Sequence, residues 1–298
     1  SVHIGDAQAQ LRTLAAFSVK PGLFDVKASV DLKRGGGETG HVAATSLLHQ
    51  GDFLDARFEV RRNRPLSVDV DGAEGQGGAL AGALGLPADR PFLVNVKAKG
   101  IPAKGRIDAM VRSGSETPLL AQGGWTKAGG AIGGRVALTA SSLTARYVAM
   151  VGREARFGTA ARRAKDGQYG VALRLFADNL IVSAQGPADL NAQVSRQGLT
   201  VDASVANLSR IVADPVMGAG RLHGLVKGGL YDWKLTGAVA VDRVSAGGLT
   251  LARITGPVEM AGRKGEVQVQ AKLAGAGGTG RGVAAGLIGA SPRAEVSL

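Results

Sequence analysis

The chain has 298 residues and a formal charge of +12, from 36 Lys and Arg against 24 Asp and Glu. Hydrophobic residues make up 45% and aromatic residues 4%, and there is no cysteine. This composition excludes a disulfide framework, a thiolate metal site and a cysteine nucleophile. It also indicates a smooth apolar surface of Val, Leu, Ile and Ala, since an ordinary compact core relies more on aromatic side chains. The positive charge favours an anionic partner, such as lipid headgroups or nucleic acid, or serves solubility.

Apolar and polar residues alternate along most of the chain, which is the pattern of half-buried strands. In "DARFEVRR", Phe58 and Val60 fall on one face and the charged residues on the other. "LSVDVDG" places Val68 opposite its serine and aspartates, and the pattern returns at Val94 and Val96. These stretches predict consecutive strands, each with one apolar face.

The stretch "EGQGGALAGALGLPADRPFLVNV", residues 74–96, interrupts this alternation. Leu80 and Leu84 are spaced as on one helical face, and Pro87 ends the run. Its glycines lower helix stability, so an isolated helix here would not persist. We therefore predict a short helix near 77–86 that lies on the apolar face of the sheet.

The middle of the chain predicts further strands around a helical segment. Alternation continues through Val136 and Leu138, and "SSLTARYVAMVGREA" then predicts a helix near 141–153. Later strands follow, with Val171, Leu173, Leu175 and Val201 on their apolar faces.

The last third predicts a brief helical turn near 206–213 and two more pairs of inward residues, Val239 with Val241 and Val267 with Val269. A second interruption, "GTGRGVAAGLIGASPRAEVSL", repeats the order of glycines, small apolar residues and proline. We predict a short helix near 282–290 there.

The predicted fold is all-β. Turn-forming residues separate the strands every 8–14 residues or so, as in an antiparallel meander, and there is no βαβ rhythm. Roughly 18–20 strands at a spacing of about 4.8 Å would extend a single sheet to roughly 90 Å. We therefore expect a long, curved, mainly antiparallel sheet folded into a U-shaped apolar trough with a few short inserted helices. Residues 1–298 would be one continuous trough segment of a longer protein.

The predicted site is the inward apolar face of this sheet, which would leave space for something else that is apolar. Its residues are Phe58, Val60, Val68, Val94, Val96, Val136, Leu138, Val171, Leu173, Leu175, Val201, Val239, Val241, Val267 and Val269.

No catalytic residue, metal site or cofactor is predicted, so we expect no enzyme. The histidines lack metal-ligand spacing, and there is no G-x-S-x-G motif. Residues 275–280 match G-x-G-x-x-G, but glycines and a proline break the helix that a dinucleotide site needs next. Nucleic acid is not an expected partner either, since the basic turns lack interleaved aromatic residues.

Several stretches together resemble the TamB family of AsmA-like proteins from Gram-negative envelopes. One is residues 224–262, another is the interruption at 74–91, and a third is "DASVANLSRIVADPVMGAGRLHGLVKGG". The first looks like a recurring unit of that family through Gly228, Asp232, Trp233, Gly237 and the pair Gly247–Gly248.

This resemblance implies a bridge-like lipid transfer protein of the periplasm, anchored in the inner membrane by a segment outside this chain. The implied function is passive conduction of phospholipid towards the outer membrane, with lipid bound on the inward apolar residues given above. The same resemblance also implies a role in assembling outer-membrane or secreted proteins, with an outer-membrane β-barrel assembly protein as partner.

The alternative is a structural or adhesive β-solenoid of the cell envelope. A regular period of about 20–30 residues would mark a solenoid, and the strand spacing here is irregular.

Overall fold

The structure, a computed structural model, describes residues 2–13, 20–32, 37–61, 65–164, 168–190, 192–212, 216–229, 231–246, 248–280 and 292–297. The chain divides into two units, Ser1–Val148 and Ala149–Leu298. They are called the N-terminal and C-terminal units below.

The described part of the N-terminal unit contains nine strands, and each pairs antiparallel with the next one in sequence. Such a meander follows directly from strands joined by short turns. The strands are Val2–Arg12 (β1), Leu23–Leu32 (β2), Gly37–Ser46 (β3), Phe53–Arg61 (β4), Leu66–Glu74 (β5), Phe92–Ile101 (β6), Lys104–Ser113 (β7), Glu116–Thr126 (β8) and Gly129–Ala137 (β9).

The pairing register gives this sheet one apolar and one polar face. Directly paired residues point to the same face, and one row from β2 to β9 reads Val26, Ala44, Leu54, Gly72, Val94, Val111, Leu119 and Val136. The predicted residues Phe58, Val60, Val68, Val94, Val96 and Val136 lie on this face.

The helix predicted near 77–86 is present as Ala79–Ala83 (α1). Ala81 and Leu86 are buried against Phe92 and Val111, so the segment packs on the apolar face as expected.

The prediction for 138–153 was partly wrong. The strand ends at Ala137, so Leu138 lies in a 3₁₀ turn, Leu138–Ala140, and not on the apolar face of a strand. The single helix expected near 141–153 is two one-turn helices, Ser142–Ala145 (α2) and Val148–Val151 (α3). The Thr144 hydroxyl donates to the Leu138 carbonyl, at an Oγ1–O distance of 2.8 Å, which favours this local turn over a longer helix.

The described part of the C-terminal unit contains ten strands. Consecutive strands pair antiparallel, except that β13 pairs with β15 and the short β14 with β16. The strands are Glu154–Arg163 (β10), Tyr169–Ala177 (β11), Leu180–Ala188 (β12), Val194–Val205 (β13), Val216–Met217 (β14), Gly220–Gly229 (β15), Asp232–Ala246 (β16), Leu249–Arg263 (β17), Glu266–Gly280 (β18) and Arg293–Ser297 (β19).

This unit also has one apolar face. A paired row across it reads Thr159, Leu173, Ala184, Val201, Gly224, Gly237, Val258, Ala271 and Val296. The register places the predicted residues Val171, Leu173, Leu175, Val201, Val239, Val241, Val267 and Val269 on the same face.

Two further expectations concern short segments of this unit. The helical turn predicted near 206–213 is the 3₁₀ helix Leu208–Arg210, whereas the helix predicted near 282–290 lies outside the described residues. The G-x-G-x-x-G match at 275–280 lies within β18, an extended strand and not a phosphate-binding turn. The all-β, antiparallel class predicted from the alternation is confirmed.

Candidate functional site

The apolar faces of the two units are the candidate site, and several of their large apolar side chains are open to solvent. Val60 is 46% exposed in the N-terminal unit, and Leu173 and Val267 are 43% and 53% exposed in the C-terminal unit. Contiguous exposed apolar patches are a feature of surfaces that take part in binding, which makes these faces the candidate site.

 The apolar face of the C-terminal unit contains a hollow of ≈ 630 Å³. A separate concavity of ≈ 760 Å³ lies on the opposite, polar face of the same unit. Leu199, Val226 and Leu235, which are paired neighbours on β13, β15 and β16, line the apolar hollow together with Trp233. Its volume falls in the range of small-molecule sites, about 300–1,000 Å³.

A β-bulge in β13 forms one side of this apolar hollow. The register between β13 and β15 shifts between Ser195 and Leu199, and Gly198 has φ +104, a conformation that favours glycine. The buried Ser195 hydroxyl donates to the Pro187 carbonyl, with an Oγ–O distance of 2.6 Å, and accepts from the Gly198 amide. Such a bulge re-aims neighbouring side chains. Val194 and Leu199, which lie on either side of this bulge, both line the hollow.

Glycines on the two faces of the C-terminal unit have different surroundings. A Cβ on Gly256 or Gly237, both on the apolar face, would lie 1.9 Å or 2.4 Å from a carbonyl oxygen of the neighbouring strand. A Cβ on Gly158, on the polar face, would meet nothing within 4 Å. Glycines permit close approach of strands and bending of a sheet, so the crowding indicates that the strands bend locally towards the apolar face.

Both tryptophans pack over glycines of adjacent strands on the apolar faces. Trp125 lies against Gly105, and Trp233 lies against Gly262, its direct partner on β17. The Trp125 indole also donates to the Ile101 carbonyl, with an Nε1–O distance of 2.9 Å. An aromatic ring over a cross-strand glycine covers the exposed backbone, so both tryptophans have a packing role.

A buried carboxylate holds α1 on the apolar face of the N-terminal unit. Glu74, at the end of β5, is 3% exposed, and its Oε2 accepts from the amides of Leu80 and Ala81 at 2.7 Å and 3.0 Å. These amides lie in the first turn, where helix N–H groups lack backbone partners, and a carboxylate there is favourable. Sequence reasoning missed Glu74, because its only local sign is an acidic residue five positions before the helix.

We expect Glu74→Ala to lower the free energy of unfolding by about 1–3 kcal/mol, because the two amides would lose their acceptor in a buried place. Urea denaturation measures this change, and limited proteolysis would show faster cleavage around α1. The control is Glu266→Ala, at an exposed position of β18. Equal stability of the two variants would contradict the anchoring role.

The polar face of the N-terminal unit carries ion pairs. His41 Nε2 lies 2.8 Å from Asp55 Oδ2, and Arg57 Nε lies 2.9 Å from Asp55 Oδ1. Burial raises the pKa of the Asp55 carboxyl, but hydrogen bonds and charge interactions with His41 and Arg57 outweigh it, so the pKa lies below its ordinary value. These groups are partly exposed, which is typical of a solvated sheet face.

Within the described ranges, His, Asp and Glu side chains form no group of three or more that could hold a metal ion. The helices of that same part of the chain are all too short or too polar to cross a membrane. No family model, curated protein or solved structure matches this chain.

Proposed function

We propose that the apolar faces bind the acyl chains of phospholipid, and that this chain is a segment of a passive lipid conduit. The observation that carries the proposal is the register, which gathers apolar residues from every strand of each unit on one face and leaves many of them half-exposed. The apolar hollow beside Trp233 adds a recessed place of suitable chemistry.

Lipid would bind without any covalent step. Acyl chains would lie on residues such as Leu173, Val201 and Val239, while the headgroup stays in water. Each buried CH₂ contributes about 0.8 kcal/mol, which holds a chain strongly relative to water. Because neighbouring rows of the face have similar composition, moving from one row to the next would cost little.

The proposal includes the wider setting that the sequence resemblance implies. The chain would be a member of the TamB family in the periplasm of a Gram-negative bacterium, with the anchor in the inner membrane supplied elsewhere in a longer protein. An outer-membrane β-barrel assembly protein would be its partner in a protein-assembly role. The sheet would act as a U-shaped trough in that setting.

The test is lipid occupancy of the chain purified from a Gram-negative host in mild detergent. Native mass spectrometry and lipid extraction should find bound phospholipid. Leu173→Asp combined with Val267→Asp places charges on two exposed residues of the apolar face. We expect this variant to lose about half of its lipid or more while remaining folded, since the charges act on one of the two units and a buried charge strongly disfavours an acyl chain.

The matched control is Phe176→Asp combined with Ile181→Asp. These residues are 45% and 47% exposed, close to the values of the test pair, but they lie on the polar face of the same unit. Lipid should be retained in the control. Equal loss in both variants, or a wild-type chain that is free of lipid, would contradict the proposal.

A lipid-free, compact monomer would favour the alternative structural role. A solenoid of parallel coils would need parallel pairing between successive turns, whereas the pairings between described strands within each unit are antiparallel. The alternative would then be an antiparallel structural sheet.

A further inference from the structure

The polar face of the C-terminal unit contains the open concavity of ≈ 760 Å³, separate from the apolar face. Two paired rows form it across β12, β13, β15, β16 and β17. One row is Ile181, Ser204, Arg221, Ala240 and Thr255, and the other is Ser183, Asp202, His223, Ala238 and Pro257. We call this concavity the polar-face groove.

Its shape follows from side-chain size. Ala238 and Ala240 are the polar-face residues of β16 at this level, so the side chains there are short. Arg221 and His223 stand beside them on β15, and Thr255 and Pro257 stand on β17. The floor is therefore aliphatic, and one wall carries cationic and hydrogen-bonding groups.

The charges around the groove leave one guanidinium without a partner. At its two ends, Lys234 Nζ lies 2.6 Å from Glu259 Oε2, and Arg253 Nε lies 3.8 Å from Asp242 Oδ1. Within the groove, the carboxylate of Asp202 is engaged by His223, with Nδ1 2.6 Å from Oδ1. The Arg221 side chain forms no ion pair or hydrogen bond with another residue of the described ranges.

We propose that the polar-face groove binds a small amphiphilic anion. Its carboxylate or phosphate would pair with Arg221, whose guanidinium suits either group. Its apolar part would lie over Ala238, Ala240 and Pro257, and the His223 ring, oriented by Asp202, would offer Nε2 to the same anion. This site is independent of lipid binding on the apolar face.

The test uses hexanoate as the probe, with hexylamine as its cationic counterpart, on the whole chain with labelled Ala, Val and Thr methyl groups. Methyl groups separate the two faces, since Ala238 and Ala240 point to the groove and Val239 and Val241 to the apolar face. We expect saturable shifts of Ala238, Ala240 and Thr255 with a Kd of about 1 mM. Hexylamine should leave these methyl groups unchanged.

Arg221→Gln should weaken hexanoate binding about tenfold, because the charge-assisted pair is lost. Lys227→Gln, on the same strand and face but outside the groove, is the matched control and should change the Kd by less than about twofold. Equal binding of hexylamine, an unchanged Kd in Arg221→Gln, shifts confined to Val239 and Val241, or no saturable shift up to about 20 mM would each overturn the proposal.

Discussion

Gly256→Val is expected to lower the free energy of unfolding by about 2–3 kcal/mol. Gly256 lies on the apolar face of β17, and a Cβ there would come within 1.9 Å of the Lys272 carbonyl oxygen. The obstacle is backbone of the adjacent strand, so a side-chain rotation cannot relieve it. The strands β17 and β18 would have to separate, which would weaken the ladder between them. Urea denaturation followed by circular dichroism measures the change.

Gly158→Val is the control for this effect. Gly158 also lies in a strand of the C-terminal unit, but on the polar face, where an added Cβ meets nothing within 4 Å. Valine is favoured in strands, so we expect a change within about 0.5 kcal/mol. A similar loss in both variants would mean that glycine is needed for backbone freedom at either face, and it would contradict local bending towards the apolar face.

Asn179→Ala is expected to cost about 3 kcal/mol, because it removes three hydrogen bonds from a buried amide. Asn179 is 2% exposed, in the turn between β11 and β12. Its Nδ2 donates to the carbonyls of Met150 and Asn207 at 2.7 Å and 3.0 Å, and its Oδ1 accepts from the Asn207 amide at 2.8 Å. The side chain thus joins α3 to the segment that leads into the 3₁₀ helix Leu208–Arg210.

Two measurements separate this role from a general loss of stability. Hydrogen exchange should show early loss of protection at the Asn207 amide, before the central strands are affected. Asn95→Ala, which removes an amide bonded to Asp71 on the polar face of the N-terminal unit, should cost only about 0.5–1 kcal/mol. Unchanged exchange at Asn207 in Asn179→Ala would contradict the proposed connection.

Much of the apolar face could be predicted from the sequence, because alternation is a local property. A strand turns successive side chains to opposite faces, so Val239 and Val241 share a face wherever their strand pairs. Leu138 was assigned wrongly for the same reason: alternation alone does not show where a strand ends, and here a 3₁₀ turn follows Ala137.

The buried anchors could not be predicted in this way. Glu74 and Asn179 look like ordinary polar residues near turns, and their importance comes from backbone groups that the fold brings to them. The second of the two, Asn179, contacts residues 28 and 29 positions away in the sequence. No periodic pattern reports such a contact.

By itself, the sequence determined the class of this protein: antiparallel strands with one apolar and one polar face, and a short helix at the glycine-rich interruption of residues 74–96. Only the tertiary structure decided which residues meet across strands. Those cross-strand neighbours form the apolar hollow beside Trp233 and the polar-face groove at Arg221. The physical reason is that side-chain alternation is set within each strand, whereas cross-strand neighbours depend on the register of pairing, which a shift of one residue would change throughout a strand.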